Sequence, residues 1–274
     1  MKEVQKYGKE IGLEELKVLQ MDVLQAVDEF CRNNNIRYSM ACGTLLGAIR
    51  HKGYIPWDDD IDIYVPRDDY RRLVDIFPSL YKGRYKLTSL ERSSLWDKPY
   101  AKIYDNKNVM VEDAVWKENI GVNIDVFPVD EVPDDESEWL EYNKKRMRQQ
   151  KLFILKFVHL SFNRSIAKNV ALLLFKIITC FYSSRKWAKS IDKMCKKYNG
   201  LGYNRYFECC SGRIQKHPFP KRLFDDLVYM EFEDRTFKAF ADADCYLRNG
   251  YGDYMTLPPE EKRIPHHDFK AYWK

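Results

Sequence analysis

Trp57-Asp58-Asp59-Asp60-Ile61-Asp62-Ile63-Tyr64-Val65 is the stretch on which the fold of this chain turns. In an extended strand, residues i and i+2 share a face with Cα atoms roughly 7 Å apart. Asp58, Asp60 and Asp62 are therefore expected to converge on one small volume, with Ile61, Ile63 and Val65 free to face a core. Carboxylates packed that closely raise one another's pKa unless a cation neutralises them. A divalent cation explains the cluster economically, and Mg2+ is commonly held by one or two carboxylates together with substrate phosphates. The commonest fate of an acidic cluster is a solvated loop, a reading the flanking Ile and Val residues oppose. A calcium loop starting at Asp58 would need Gly at its sixth position and prefers Glu at its twelfth, where this chain has Ile63 and Asp69.

Upstream, Ile36-Arg37-Tyr38-Ser39-Met40 reads as a strand running into Ala41-Cys42-Gly43-Thr44 and then the helix-compatible Leu45-Leu46-Gly47-Ala48-Ile49. Gly43 permits close backbone approach to a ligand. Thr44 offers a hydroxyl and an N–H at a helix N-terminus, where free N–H groups and the macrodipole favour phosphate. A Gly-Thr pair is a weak signal by itself. One helix before a carboxylate-bearing strand, it becomes a candidate phosphate cradle facing a candidate metal site.

The run from Gly43 to Asp62, including Arg50-His51-Lys52-Gly53-Tyr54-Ile55-Pro56-Trp57, resembles the LicD family of phosphotransferases, which is related to fukutin and fukutin-related protein and falls within the nucleotidyltransferase superfamily. Superfamily members carry Gly-Ser or Gly-Thr on a short helix, then an Asp-apolar-Asp strand, then a third carboxylate on a later strand. Tyr100-Ala101-Lys102-Ile103-Tyr104-Asp105 looks like a following core strand, and Asn123-Ile124-Asp125-Val126-Phe127-Pro128 like the one bearing the third carboxylate. Tyr251-Gly252-Asp253-Tyr254-Met255, Leu257-Pro258-Pro259 and His266-His267 are similar to the family's closing segment.

The resemblance implies a metal-dependent transfer of a phosphorylated alcohol, typically phosphocholine from CDP-choline, to a sugar hydroxyl of a cell-surface glycan such as lipopolysaccharide or teichoic acid, or of its lipid-linked precursor, with CMP released. Mg2+, or Mn2+, is the implied cofactor. Asp60, Asp62 and Asp125 are the candidate catalytic residues and, with Asp58, the candidate metal ligands; Asp125 would complete the metal shell or take the acceptor's proton. If Asp125 is not the third carboxylate, Asp105 and Asp130 are next in line. Gly43, Thr44, Arg50, His51, Lys52 and Lys102 are candidates for holding the donor's phosphates and nucleotide. Tyr54, Trp57 and Tyr64 are candidate head-group aromatics, since quaternary ammonium ions favour aromatic faces. His266 and His267 are placed at the pocket mouth. Two alternatives stay open: transfer of a nucleoside monophosphate to a small-molecule or sugar acceptor, and a noncatalytic glycan- or lipid-binding scaffold.

At 274 residues the chain can bury a sizeable core. The expected class is α+β, a nucleotidyltransferase-like mixed sheet with flanking helices, a helical insertion and a C-terminal subdomain. The expected divisions are a catalytic core over 1–133, the insertion over 134–204, and a subdomain completing the cleft over 205–274. Helices are predicted over Leu13–Asn33, stopped by Asn33-Asn34-Asn35, and over Pro66–Phe77, stopped by Pro78. Strands are predicted near Tyr85–Ser89, Ala101–Asp105, Val109–Glu112 and Val122–Phe127, all in one mixed sheet. The polar opening Met1–Glu15 has no apolar signal region, and seven scattered cysteines show neither a disulfide framework nor zinc spacing. A reducing cytoplasm is the expected compartment.

Between Glu136 and Asn199 the chain turns to long helices rich in Lys, Arg, Leu and Phe. Val170–Tyr182 is strongly apolar but far shorter than the ~20 residues that span a bilayer. It reads as a buried core helix or as an interfacial one flanked by Lys168, Lys176, Arg185 and Lys186, which would give peripheral contact with the inner membrane face through 165–187. Read over the whole chain, the net charge of +5 is spread with both signs interspersed, so nucleic acid is not an expected partner, and no protein partner is predicted.

Overall fold

The computed structural model describes residues 7–80, 83–112, 118–161, 165–211, 217–264 and 269–274. After a short strand β1 (Glu10–Ile11), helix α1 covers Leu13–Asn33, as its periodicity predicts. Its stripe of Leu16, Leu19, Val23, Val27 and Phe30 is buried, and each such side chain contributes about 1.5–3 kcal/mol on leaving water. Asn35 ends the helix by taking a left-handed backbone conformation, φ 50°, which Asn adopts more readily than most residues.

Strand β2 (Ser39–Met40) is shorter than the predicted Ile36–Met40 and leads into α2 (Cys42–His51). Strand β3 spans Asp62–Pro66 and runs directly into α3 (Arg67–Leu80). Pro78 does not stop α3. The carbonyl that its missing N–H leaves unserved is that of Val74, and Arg92 Nε donates to that oxygen at 3.0 Å.

Strands β4 (Tyr85–Thr88), β5 (Ala101–Asp105), β6 (Asn108–Glu112) and β7 (Asn123–Val132) follow. Three helices, α4 (Glu136–Leu155), α5 (Ile166–Ile178) and α6 (Ser184–Cys195), come next. The chain then forms β8 (Arg205–Phe207), β9 (Phe219–Pro220), the hairpin β10 (Leu227–Phe232) and β11 (Arg235–Phe240), α7 (Ala243–Tyr251) and β12 (Phe269–Trp273).

The class is α+β. A mixed sheet runs β2-β3-β7-β5-β4, with β8 and β9 attached through β7. Its one parallel pairing among these strands is β3 with β7. β7 outruns the predicted Val122–Phe127 because β3 accompanies it to Val129 and β8 pairs with Asp130–Val132. The expectation that Val109–Glu112 joins this sheet is corrected: β6 pairs with β12, which also pairs with β1, in a separate antiparallel sheet. That partner lies more than 150 residues downstream, beyond the reach of local pattern.

Candidate active site

The site grows from the junction of α2 and β3. The Asp62 backbone N–H donates to Thr44 Oγ1 at 2.8 Å, and Ala41 N–H donates to the Asp62 carbonyl at 3.0 Å. Two bonds thus lock the start of the helix to the start of the strand. The Thr44 hydroxyl, expected at a phosphate, accepts one of them. Cys42, the first residue of α2, has φ 51°, a left-handed conformation that costs a non-glycine residue about 1 kcal/mol or more. Its N–H donates to Tyr246 Oη at 3.2 Å. Gly43 follows, and a Cβ there would collide with the Asp58 carboxylate. A side-chain anion therefore sits against the anion-favouring end of α2.

The expectation that Asp58, Asp60 and Asp62 alternate along one strand is corrected. β3 begins at Asp62, and Trp57–Ile61 is a turn and loop in which Asp58 N–H donates to Ile55 O at 2.8 Å. The loop is held from α1 by Gln20, whose Nε2 donates to Asp59 O at 2.9 Å. Convergence comes instead from sheet register. Asp62 on β3 lies directly opposite Asp125 on β7, which lies opposite Lys102 on β5. Three chemically active residues thus stand side by side on one face, at a strand spacing of about 4.8 Å.

Lys102 Nζ forms an ion pair with Asp125 Oδ1 and donates to Asn123 Oδ1 at 2.8 Å. Asp60, Lys102 and Asp125 open into one cleft with Asp59, Gln20, Met110, Asn123 and Phe269. Asp62 is 1 % exposed, at the root of this row. The substitutes for Asp125 are committed elsewhere: Asp130 is paired with Arg67 (2.6 Å), and Asp105 with Arg84 (2.9 Å).

Among the described residues, no three His, Cys, Asp or Glu side chains close on a point as a ready metal cage. The donor set nevertheless fits a hard cation. Asp125 Oδ1 is buried and, beside its ion pair with Lys102, receives no hydrogen bond. Asp60, Asp62 and Asp125 offer more than the one or two carboxylates that Mg2+ takes when substrate phosphates and water complete its shell.

The basic segment lies elsewhere. Arg50, His51 and Lys52 fall at the C-terminal end of α2, about 10–13 Å along the helix axis from Gly43. Arg50 Nε donates to His51 Nε2 at 3.0 Å and its Nη1 to Tyr254 O at 2.8 Å, binding α2 to the segment after α7. Burial, and then the Arg50 charge, lowers the His51 pKa below its ordinary value. Lys52 caps the helix in a left-handed conformation, φ 61°, and is exposed.

The three aromatics separate. Trp57 is half-buried, with the Arg263 guanidinium 5.7 Å from its ring centre and His51 edge-on at 6.3 Å. Tyr54 is buried, donates to Gln20 Oε1 at 3.0 Å and carries Lys17 Nζ 4.9 Å from its ring centre. Tyr64 is core: fully buried, it packs against Phe127, Phe219 and Tyr246 and accepts from Cys42 Sγ at 3.2 Å. A head group cannot reach it in this structure. His266 and His267 lie outside the described residues.

Sequence reading missed Gln20, Asn123, Met110, Phe269 and Arg263. Gln20 had a usable signal, as a polar residue on the buried stripe of α1, four places after Leu16. Asn123 had another, two places before Asp125 on the same strand face. Arg263 and Phe269 had none, because tertiary contact alone brings them here.

Comparison with known proteins places the chain in a family. The family described as "LicD/FKTN/FKRP, nucleotidyltransferase domain" matches residues 35–168, which contain the whole Asp62–Asp125–Lys102 row. The lipopolysaccharide cholinephosphotransferase LicD of Haemophilus influenzae is 32% identical over 286 aligned positions, covering 96% of this chain and 99% of that protein. An uncharacterized protein of Rickettsia prowazekii is 41% identical over 71 residues, and one of Rickettsia typhi 36% over 80, each alignment covering 26% of the relative.

Proposed function

Since the chain belongs to the LicD family of phosphotransferases, we propose that it moves phosphocholine from CDP-choline to a sugar hydroxyl of a cell-surface glycan or its lipid-linked precursor, releasing CMP. The observation that carries this reading is the row of Asp62, Asp125 and Lys102 on three adjacent strands, of which Asp125 and Lys102 open with Asp60 into one cleft. Two carboxylates and an ammonium at that spacing suit a reaction in which the protein positions groups and balances charge.

The acceptor hydroxyl oxygen attacks the phosphorus bearing the choline group. Its proton passes to the Asp125 carboxylate, and the bond from phosphorus to the CMP oxygen breaks as the new ester forms. Lys102 holds Asp125 in place through their ion pair and Asn123. Asp60, Asp62 and Asp125, with Asp58 from the loop, are the residues that would hold Mg2+ or Mn2+. Such an ion, when bound, would offset the diphosphate's charge. Gln20 and Thr44 keep the aspartate loop and β3 in register. The transfer is placed at the cytoplasmic face of the membrane, where a lipid-linked acceptor would be met.

The test incubates the protein and Mg2+ with CDP-choline, CDP-ethanolamine, CDP-ribitol or CDP-glycerol, with and without glycan acceptors, and measures CMP. Acceptor-dependent CMP release from CDP-choline is the expected result. Release from another donor would change the head group. Pyrophosphate release from a nucleoside triphosphate, with every CDP-alcohol inert, would replace this reading with nucleotidyl transfer.

A further inference from the structure

Helix α5 is amphipathic with its apolar side outward. Val170, Leu173, Leu174, Ile177, Ile178 and Phe181 recur at the spacing of one helical face and its continuation, and all are exposed, Ile178 at 78 % and Phe181 at 93 %. Leu172 is the only buried residue of the helix. Asn169 and Lys176 turn inward instead. Asn169 Nδ2 donates to Ser161 O at 2.8 Å, Lys176 Nζ to Lys156 O at 3.4 Å, and Thr179 Oγ1 to Phe175 O at 2.7 Å. The core-helix reading of this stretch is thereby set aside.

Charge around the helix is equally one-sided. From Tyr142 to Ile191 the sequence has twelve Lys and Arg and no Asp or Glu. That segment carries +12 in a chain of +5, so everything else together carries −7. The interspersed signs read over the whole chain conceal this separation. Lys151, Lys168, Lys186 and Lys189 are exposed. Arg185, expected as a membrane flank, instead points into the protein, donating to Trp96 O at 2.5 Å and Leu90 O at 2.6 Å. With Ser184 Oγ donating to Asp97 Oδ2 at 2.6 Å, it fastens the start of α6 to residues 90–97. No helix among the described residues is long and apolar enough to cross a membrane.

We propose that α5 lies flat on an anionic lipid bilayer, with its outward stripe in the headgroup–acyl boundary and Lys168 and Lys186 against lipid phosphates. Apolar insertion and attraction to acidic lipid reinforce each other on such a helix. An apolar partner protein would account for the stripe but not for fifty residues without a single carboxylate. The link to a lipid-borne acceptor rests on the proposed function. The docking itself does not.

Flotation of the full chain with vesicles, without donor or acceptor, tests docking separately from catalysis. The protein should float with vesicles containing phosphatidylglycerol at low salt, and lose most of that binding at high salt or with pure phosphatidylcholine. Lys168→Glu with Lys186→Glu should weaken binding by roughly tenfold or more, since basic residues near an anionic surface contribute additively to attraction. Ile177→Ser with Ile178→Ser should weaken it while leaving the melting temperature unchanged. Failure to float with anionic vesicles, or binding that neither double variant alters, would overturn the proposal. So would concentration-dependent self-association abolished by the Ile177/Ile178 changes in a protein that ignores vesicles, which would make a second copy the occupant.

Discussion

In α1, Leu16, Leu19, Val23, Val27 and Phe30 are buried, whereas in α5 Val170, Leu173, Leu174, Ile177 and Ile178 repeat with the same period and are exposed. Both stripes are legible as helices from spacing alone. What covers each is a separate question, answered by the polar residues. On α1 two polar residues are buried: Asp28 accepts from Tyr38, and Gln20 reaches across to hold the aspartate loop. On α5 Asn169 and Lys176 bond to the protein, while the apolar stripe is exposed. The α1-backed site is therefore a place where precise charge placement matters, and α5 a surface whose residues can change without disturbing the fold.

The sharpest way to break that comparison is at the carboxylate row. Asp62→Asn or Asp125→Asn keeps side-chain shape and removes the charge. We expect kcat for CDP-alcohol turnover to fall by about 10²–10³-fold, the scale of losing one transition-state charge partner. The melting temperature should move by no more than about 4 °C, equivalent to roughly 1 kcal/mol in a chain of this size. Full activity in a purified variant would remove that residue from the site.

Gly43→Ala should act next most strongly. Its Cβ displaces the Asp58 carboxylate from the start of α2, so donor affinity measured calorimetrically should weaken by about tenfold, ~1.4 kcal/mol. Unchanged affinity would mean that the donor does not use this end of the helix.

The smallest effect is expected at His51. Its pKa is lowered in the folded protein, so between its unfolded value of about 6.5 and the lower folded value the unfolded chain takes up a proton that the folded one does not. Stability from this source is complete above about pH 6.5 and declines as pH falls through that window. Protonation also removes the Nε2 lone pair that accepts from Arg50. Thermal melts at pH 7.5 and 5.5 should show a smaller acid-induced decrease for His51→Gln than for the parent protein. An equal or larger decrease would detach His51 from the effect.

Legibility followed physical range. The limits of α1 and β5 were readable because apolar rhythm is a local signal, and Asp62 and Lys102 drew notice as charges out of place in apolar strands, whereas Asp125 was singled out only through the family resemblance. The way these three meet was not readable. Alternation suggested one strand bearing three aspartates, whereas β3 starts only at Asp62, and register across three strands assembles the row. Tyr64 illustrates the same limit, since an aromatic beside an acidic motif looks alike in sequence whether it faces a ligand or Phe219. Lys102 stands out in sequence because a lysine inside an otherwise apolar strand needs a counter-charge, and the neighbouring strand supplies it in Asp125, a partner that sequence reading did not name.

Strand β12 lies between β1 and β6, and its first residue, Phe269, lines the cleft that holds Asp60 and Asp125. During synthesis the carboxylate row can form once β7 has emerged from the ribosome, but the wall provided by Phe269 cannot exist until some 140 further residues have been made. The nascent chain thus passes through a period in which its reactive groups are present and its reaction chamber is open. The Phe269 wall is set by the pairing of β12 with both β1 and β6, so residues near 10, 110 and 270 must meet before the cleft has its full lining.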